Sequence, residues 1–178
     1  MSDNPLAVDN LENEDIIMLM AAAMQAPGVE GAVLGLPVML WGAPGVGKTS
    51  RINKVAKKLG FYNKDLTVLA SVREPSDFLG LPIPGGEPVM VAGQEVPALT
   101  FAPPLWAVQA NQHSADTGDP RDDKAVVFFD EFATASPRVM AAMLRVIHER
   151  VVGEFNLHAN VVMLAASNPP AMSPGEGE

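Results

Sequence analysis

Eight consecutive residues constrain this chain more than anything else in it. Gly42-Ala43-Pro44-Gly45-Val46-Gly47-Lys48-Thr49 fits the pattern G-x-x-x-x-G-K-[ST] at every position. A short apolar run, Pro37–Trp41, precedes it, and a stretch that reads as helix follows through about Leu59, closed by Gly60. Each part has a physical task. The glycines let the backbone curl so that successive N–H groups point at phosphate oxygens. The helix adds its positive N-terminal end, Lys48 a mobile point charge, and the Thr49 hydroxyl a ligand for Mg²⁺. A chance match in a chain of this length is on the order of 1%. Residues Gly42 to Thr49, with the adjoining Ser50, are therefore the expected phosphate-binding set.

The remaining pattern repeats the strand-then-helix alternation. Leu66–Ala70, Val126–Phe129 and Val161–Ala166 are apolar runs without alternation, as expected of strands buried on both faces. Ser136-Pro137 starts a helix whose apolar stripe is Val139, Met140, Met143, Leu144 and Ile147, ended by Gly153. Ile16, Ile17, Met20, Ala23 and Met24 fall at helical spacing from about Asn13, stopped by Pro27-Gly28. Ser76-Asp77 caps a helical turn ending near Leu79-Gly80, and Leu105–Ala110 reads as another turn of helix. Between them, residues 82–103 hold two short runs, Val89–Ala92 and Val96–Phe101, turned by Gly93-Gln94-Glu95 into a hairpin. The Asp-rich stretch 111–124 reads as a surface loop. Together these elements predict a three-layer α/β sandwich with a mostly parallel sheet. Its core runs over 13–172, between flexible ends at 1–12 and 173–178.

Two more features complete a candidate site. Asp130-Glu131 ends the third strand, at the edge where open parallel sheets bind ligands. Asp130 is placed to hold Mg²⁺, and Glu131 to act as general base toward a water. Asn168 follows the fourth strand, and its amide both donates and accepts, suiting it to the same water or a terminal phosphate. Taken without the other two motifs, an acidic pair at a strand end and an Asn-Pro turn are both commonplace.

Composition removes other classes of function. The 178 residues include no cysteine, which excludes disulfides, thiolate metal sites and a cysteine nucleophile. The net charge of −9 argues against a broad nucleic-acid surface, though not against a local basic groove. No run approaches the ~20 apolar residues of a membrane span, and Met1–Pro5 lacks a basic leader, so the expectation is a soluble, cytoplasmic chain. His113, His148 and His158 show no metal spacing.

With these residues placed, the chain resembles the AAA+ ATPases, in particular their MoxR-like and dynein-related branch. The similar stretches are Leu40 to Ser50, Glu74 to Pro82, Phe101 to Pro104, Phe128 to Glu131, Ile147 to Arg150 with Val152 to Glu154, and Ala166 to Pro169. The resemblance implies Lys48 and Thr49 as Walker A, Asp130 and Glu131 as Walker B, Asn168 as sensor 1, and ATP with Mg²⁺ as ligands. It places the hairpin at about 89–101 in an insert that faces the pore of a ring. It further implies a hexamer that remodels a protein client, with a von Willebrand factor A-domain partner. Such cores have strands ordered 5-1-4-3-2 and a helical lid. Four strands are counted here before Glu178, so the resemblance implies a core lacking the fifth strand, arginine finger and lid. Two alternatives stay open: a nucleotide-binding module without turnover, or a nucleic-acid-associated or GTP-using motor. The second expects a basic hairpin, yet residues 82–103 contain no Lys or Arg. Arg138, Arg145 and Arg150 are candidates to act on a neighbour's nucleotide, and Arg73 and Glu74 to couple Glu131 to a partner.

Overall fold

The computed structural model describes residues 38–43, 45–84, 86, 88–114 and 124–169. The expected helix from Asn13, both chain ends, Pro44 and most of the 111–124 stretch lie outside them. The central sheet contains β1 (Val38–Trp41), β2 (Thr67–Leu69), β7 (Ala125–Asp130) and β10 (Val161–Ser167), all parallel, in the order β1-β10-β7-β2. The runs without alternation are buried through both central strands, β7 and β10, up to the last residue of β7. At the two ends of the sheet burial is partial, and Trp41 and Leu69 are exposed. Among the described residues β1 and β2 each pair with one strand, and a strand so placed loses cover that its sequence alone does not reveal.

Side chains alternate across the sheet and build two apolar layers. On one face Val126, Phe128, Val162 and Leu164 pack on Ile52, Val55 and Ala56 of α1 (Lys48–Lys58). On the other, Val127, Phe129, Val161 and Met163 meet α3 (Leu105–Gln112) and α4 (Pro137–Glu149). Phe78, Trp106 and Phe129 form a ring cluster there, with centroids 6.1 to 6.3 Å apart. This is the three-layer α/β arrangement that the sequence predicts.

The helix signals hold with three corrections. Ser136 caps α4 by accepting the Val139 N–H, with Pro137 in the first turn, as expected. Its far end is set by Arg150, left-handed at φ 57, and not by Gly153. Gly153 instead lies in the turn between β8 (Val151–Val152) and β9 (Phe155–Asn156). Leu144 is 55% exposed, and Ala142 and Val146 take its place in the buried stripe. In the four-residue α2 (Ser76–Leu79), Ser76 is already helical and the capping position is Pro75. Asp77 serves the helix start instead, accepting the Glu74 N–H at 3.1 Å.

The hairpin is tighter than its sequence suggests. β4 (Val89–Val91) pairs with β5 (Gln94–Val96), so Gln94 and Glu95 are strand residues. Ala92 and Gly93 alone make the turn, at φ 49 and 83, the two positive angles of a type I′ connection. A second pair, β3 (Leu81–Ile83) with β6 (Thr100–Ala102), brackets it.

Candidate functional site

The carboxyl ends of β1, β7 and β10 meet over the first turn of α1. Gly45 and Gly47 stand at φ 77 and 81, and a Cβ on either would meet nothing within 4 Å. The sign of φ, not lack of space, demands glycine: an L-residue there costs about 1–2 kcal/mol. The Gly47 carbonyl starts α1 by accepting the Arg51 N–H at 2.9 Å. The Gly42 N–H donates to the Ser167 carbonyl at 3.2 Å, fixing the loop to the end of β10.

Lys48 folds back over this loop. Its Nζ donates to the carbonyls of Gly42 (2.8 Å) and Ala43 (3.2 Å) and to Asn168 Oδ1 (2.8 Å). All three acceptors are neutral, so a phosphate offers the ammonium a stronger, charge-assisted partner. Beside it the Thr49 hydroxyl donates to Asp130 Oδ2, while Asp130 Oδ1 accepts the Glu131 N–H at 2.9 Å. Glu131 is left-handed at φ 56, a conformation that costs a non-glycine residue energy and clusters at functional sites. The Thr134 hydroxyl donates to the Glu131 carbonyl at 2.8 Å and helps hold the bend.

Two serines complete the arrangement, and sequence reasoning missed both. Ser71 lies in the 3₁₀ turn Ala70–Val72 after β2, and its hydroxyl donates to Glu131 Oε2. Ser167 is fully buried, and its Oγ accepts the Ala133 N–H at 3.1 Å, joining β10 to the turn after β7. A lone serine at a strand end carries no spacing signal. For Ser71 the only available clue was its place after the second strand, the region where Arg73 and Glu74 drew attention. Arg73 turns elsewhere, reaching Asp77 at 3.9 Å, and the Glu74 backbone N–H bonds the same carboxylate.

Gly45, Gly47, Lys48, Thr49, Ser50, Asp130, Glu131 and Asn168 line one cleft of about 250 Å³. Gly42 and Ala43 contribute the carbonyls that hold Lys48, and Val46 is exposed outside the lining. The volume is below the ~300–1,000 Å³ of sites that enclose a drug-sized ligand, which suits the polyphosphate end of a nucleotide. Among the described residues no three His, Asp or Glu side chains gather to hold a metal. Thr49 and Asp130 offer two adjacent hard oxygens. That donor set fits Mg²⁺, which takes the rest of its shell from phosphate and water.

The three arginines near α4 part company. Arg150 is buried and donates to the carbonyls of His158 (3.2 Å), Ala159 (3.3 Å) and Val161, which makes it part of the core and no candidate for a neighbour's nucleotide. Arg145 pairs with Glu149 at 2.8 Å along the helix. Arg138 is exposed in the first turn of α4. Among the described residues no helix is long and apolar enough to cross a membrane.

No curated protein matches this chain. The match to the AAA domain of the dynein-related subfamily runs over residues 37–174, through every element that builds the cleft, and the chain belongs to that family.

Proposed function

We propose that this chain binds ATP with Mg²⁺ in the cleft above α1 and hydrolyses it, using the energy to change the conformation of a protein partner, as a ring. The observation that carries the reading is convergence. Lys48, Thr49, Asp130, Glu131 and Asn168 come from three separate strand ends and line one cleft. Membership of the AAA family supports nucleotide as the ligand.

Each side chain has a task within that reading. Lys48 exchanges its neutral acceptors for β- and γ-phosphate oxygens, and Asn168, released from Lys48, is free to orient the attacking water. Thr49 and Asp130 hold the cation, which when bound neutralises charge on the phosphates. Glu131 accepts the proton of the water as its oxygen attacks the γ-phosphorus and the bond to the β-phosphate oxygen breaks. Catalysis here is positioning plus charge stabilisation. The partner-remodelling and ring parts rest on family resemblance.

Calorimetric titration of the chain with ATP and Mg²⁺, beside Lys48→Ala, tests the reading. Saturable binding that the variant loses is the expected result. Binding of equal strength in both proteins would remove the cleft as the site. Binding without phosphate release would leave a nucleotide-holding module in place of an enzyme.

A further inference from the structure

Charge is distributed along this chain in blocks. Residues 1–30 carry six acidic side chains and no Lys or Arg, whereas residues 31–64 carry six Lys or Arg and no acid. Lys48 belongs to the cleft. Lys54 and Lys57 are exposed on α1, with Arg51 and Lys58 beside them, and Lys64 is exposed on the loop that follows. Lys57 and Lys64 border a second, open groove of about 550 Å³, shared with Phe61, Tyr62 and the amides of Asn53 and Asn63. Those amides bond each other at 2.9 Å, and Tyr62 is fixed by stacking on His113 with ring centroids 3.5 Å apart. The groove thus combines two cations, half-buried aromatic surface and a polar pair, and none of these takes part in the cleft.

Topology places this groove at the same edge of the sheet as Val38, the first described residue. All four central strands are parallel, so they start at one edge. Tyr62 bridges to Ala125, the first residue of β7, at that edge. Val38 starts β1 at the same edge, three strand spacings from β2, or about 14 Å. With the helix expected up to Pro27, the residues between Asp15 and Val38 can still reach about 55 Å. They tether the acidic block at an effective concentration on the order of millimolar.

We propose that the groove at the end of α1 docks the chain's own acidic stretch, the segment bearing Asp3, Asp9, Glu12, Glu14 and Asp15. Charge complementarity selects this occupant. A polynucleotide crossing the groove would run on over a molecule of net charge −9, whereas a short acidic segment ends within the basic block. Docking there links the segment that precedes β1 to the helix that carries Lys48 and Thr49.

Zero-length carbodiimide coupling of the full chain, mapped by mass spectrometry, tests this. The expected products join Lys57 or Lys64 to Asp9, Glu12, Glu14 or Asp15 within one chain, with no mixed-isotope pairs in a labelled and unlabelled mixture. Their yield should fall about tenfold at about 1 M salt, where the screening length is about 3 Å. The variant Asp9→Asn, Glu12→Gln, Glu14→Gln, Asp15→Asn, which has no carboxylate left at these positions, should give none of these products and serves as the assignment control. Coupling of both lysines to other carboxylates, coupling only between copies, or no coupling at all would overturn the proposal. So would capture of short single-stranded DNA that Lys57→Glu with Lys64→Glu abolishes while the acidic variant leaves it unchanged.

Discussion

The Ser71 hydroxyl donates a hydrogen bond to the Glu131 carboxylate, tying the end of β2 to the end of β7 across 60 residues of sequence. Glu131 is itself left-handed, at φ 56, just past the end of β7, and this hydrogen bond fixes where its carboxylate points. Ser71→Ala should therefore leave ATP affinity within about twofold and lower kcat about tenfold, the worth of one hydrogen bond to a charged group. Ser71→Thr, which keeps the hydroxyl, should stay near the parent. Titration and single-turnover hydrolysis on the three proteins separate these effects. A rise in KM with kcat unchanged would assign Ser71 to binding instead.

That contact also marks the limit of what the sequence discloses. The phosphate loop was legible because its glycines, lysine and threonine lie within eight residues, and local spacing carries the geometry. Asp130, Glu131 and Asn168 were legible because each directly follows an apolar run, so strand ends could be located before the fold was known. Ser71 follows a strand too, but serine ends strands for many reasons and its partner lies on another element. Arg150 shows the opposite failure. An arginine at the end of an amphipathic helix reads as exposed, and only the return of the chain through β8 and β9 buries it under three carbonyls. Glycine commonly stops a helix, so the sequence alone places the stop at Gly153. The left-handed Arg150 had already done that work three residues earlier.

Glu131→Gln keeps size and shape but removes the group that accepts a proton. It should bind ATP and Mg²⁺ as the parent does and lose at least about a hundredfold in turnover. Calorimetry paired with phosphate release measures both. Unchanged turnover would mean that another group, or water alone, takes the proton.

Arg150 links pH to stability in a defined window. Burial lowers its pKa from the ordinary guanidinium value to about 10. The folded chain thus binds this proton less tightly than the unfolded one, so the Arg150 contribution rises with pH only above about 10, toward the ordinary guanidinium value, and is flat below. From about pH 6 to 9 the guanidinium stays charged and its carbonyl bonds persist. Arg150→Met leaves those carbonyls without their donor, at a cost of about 3 kcal/mol, or roughly 10 °C in Tm for a chain of this size. Melts across that range should show a constant deficit. A deficit that grows or shrinks between about pH 6 and 9 would show that another titrating group is coupled to this site.

Two glycines in turns of positive φ should respond differently to the same added methyl. At Gly93, φ 83, a Cβ would meet nothing within 4 Å, so Gly93→Ala meets only backbone strain, about 1 kcal/mol. At Gly153, φ 63, a Cβ would land on the Leu79 carbonyl oxygen and lie 3.5 Å from Phe101 Cβ. Backbone at the end of α2 cannot yield as a side-chain tip would. Strain and overpacking together should exceed about 3 kcal/mol. The clash also has a direction. Leu79 and Phe101 flank the β3–β6 pair, so the turn between β8 and β9 braces that pair against α4. Gly153→Ala should accordingly speed amide exchange across Leu81–Ile83 and Thr100–Ala102 more than in β7 or β10, while Gly93→Ala affects only Val89–Val96. Equal destabilisation by the two substitutions, or exchange that quickens uniformly, would show that the β8–β9 turn does not brace the paired strands.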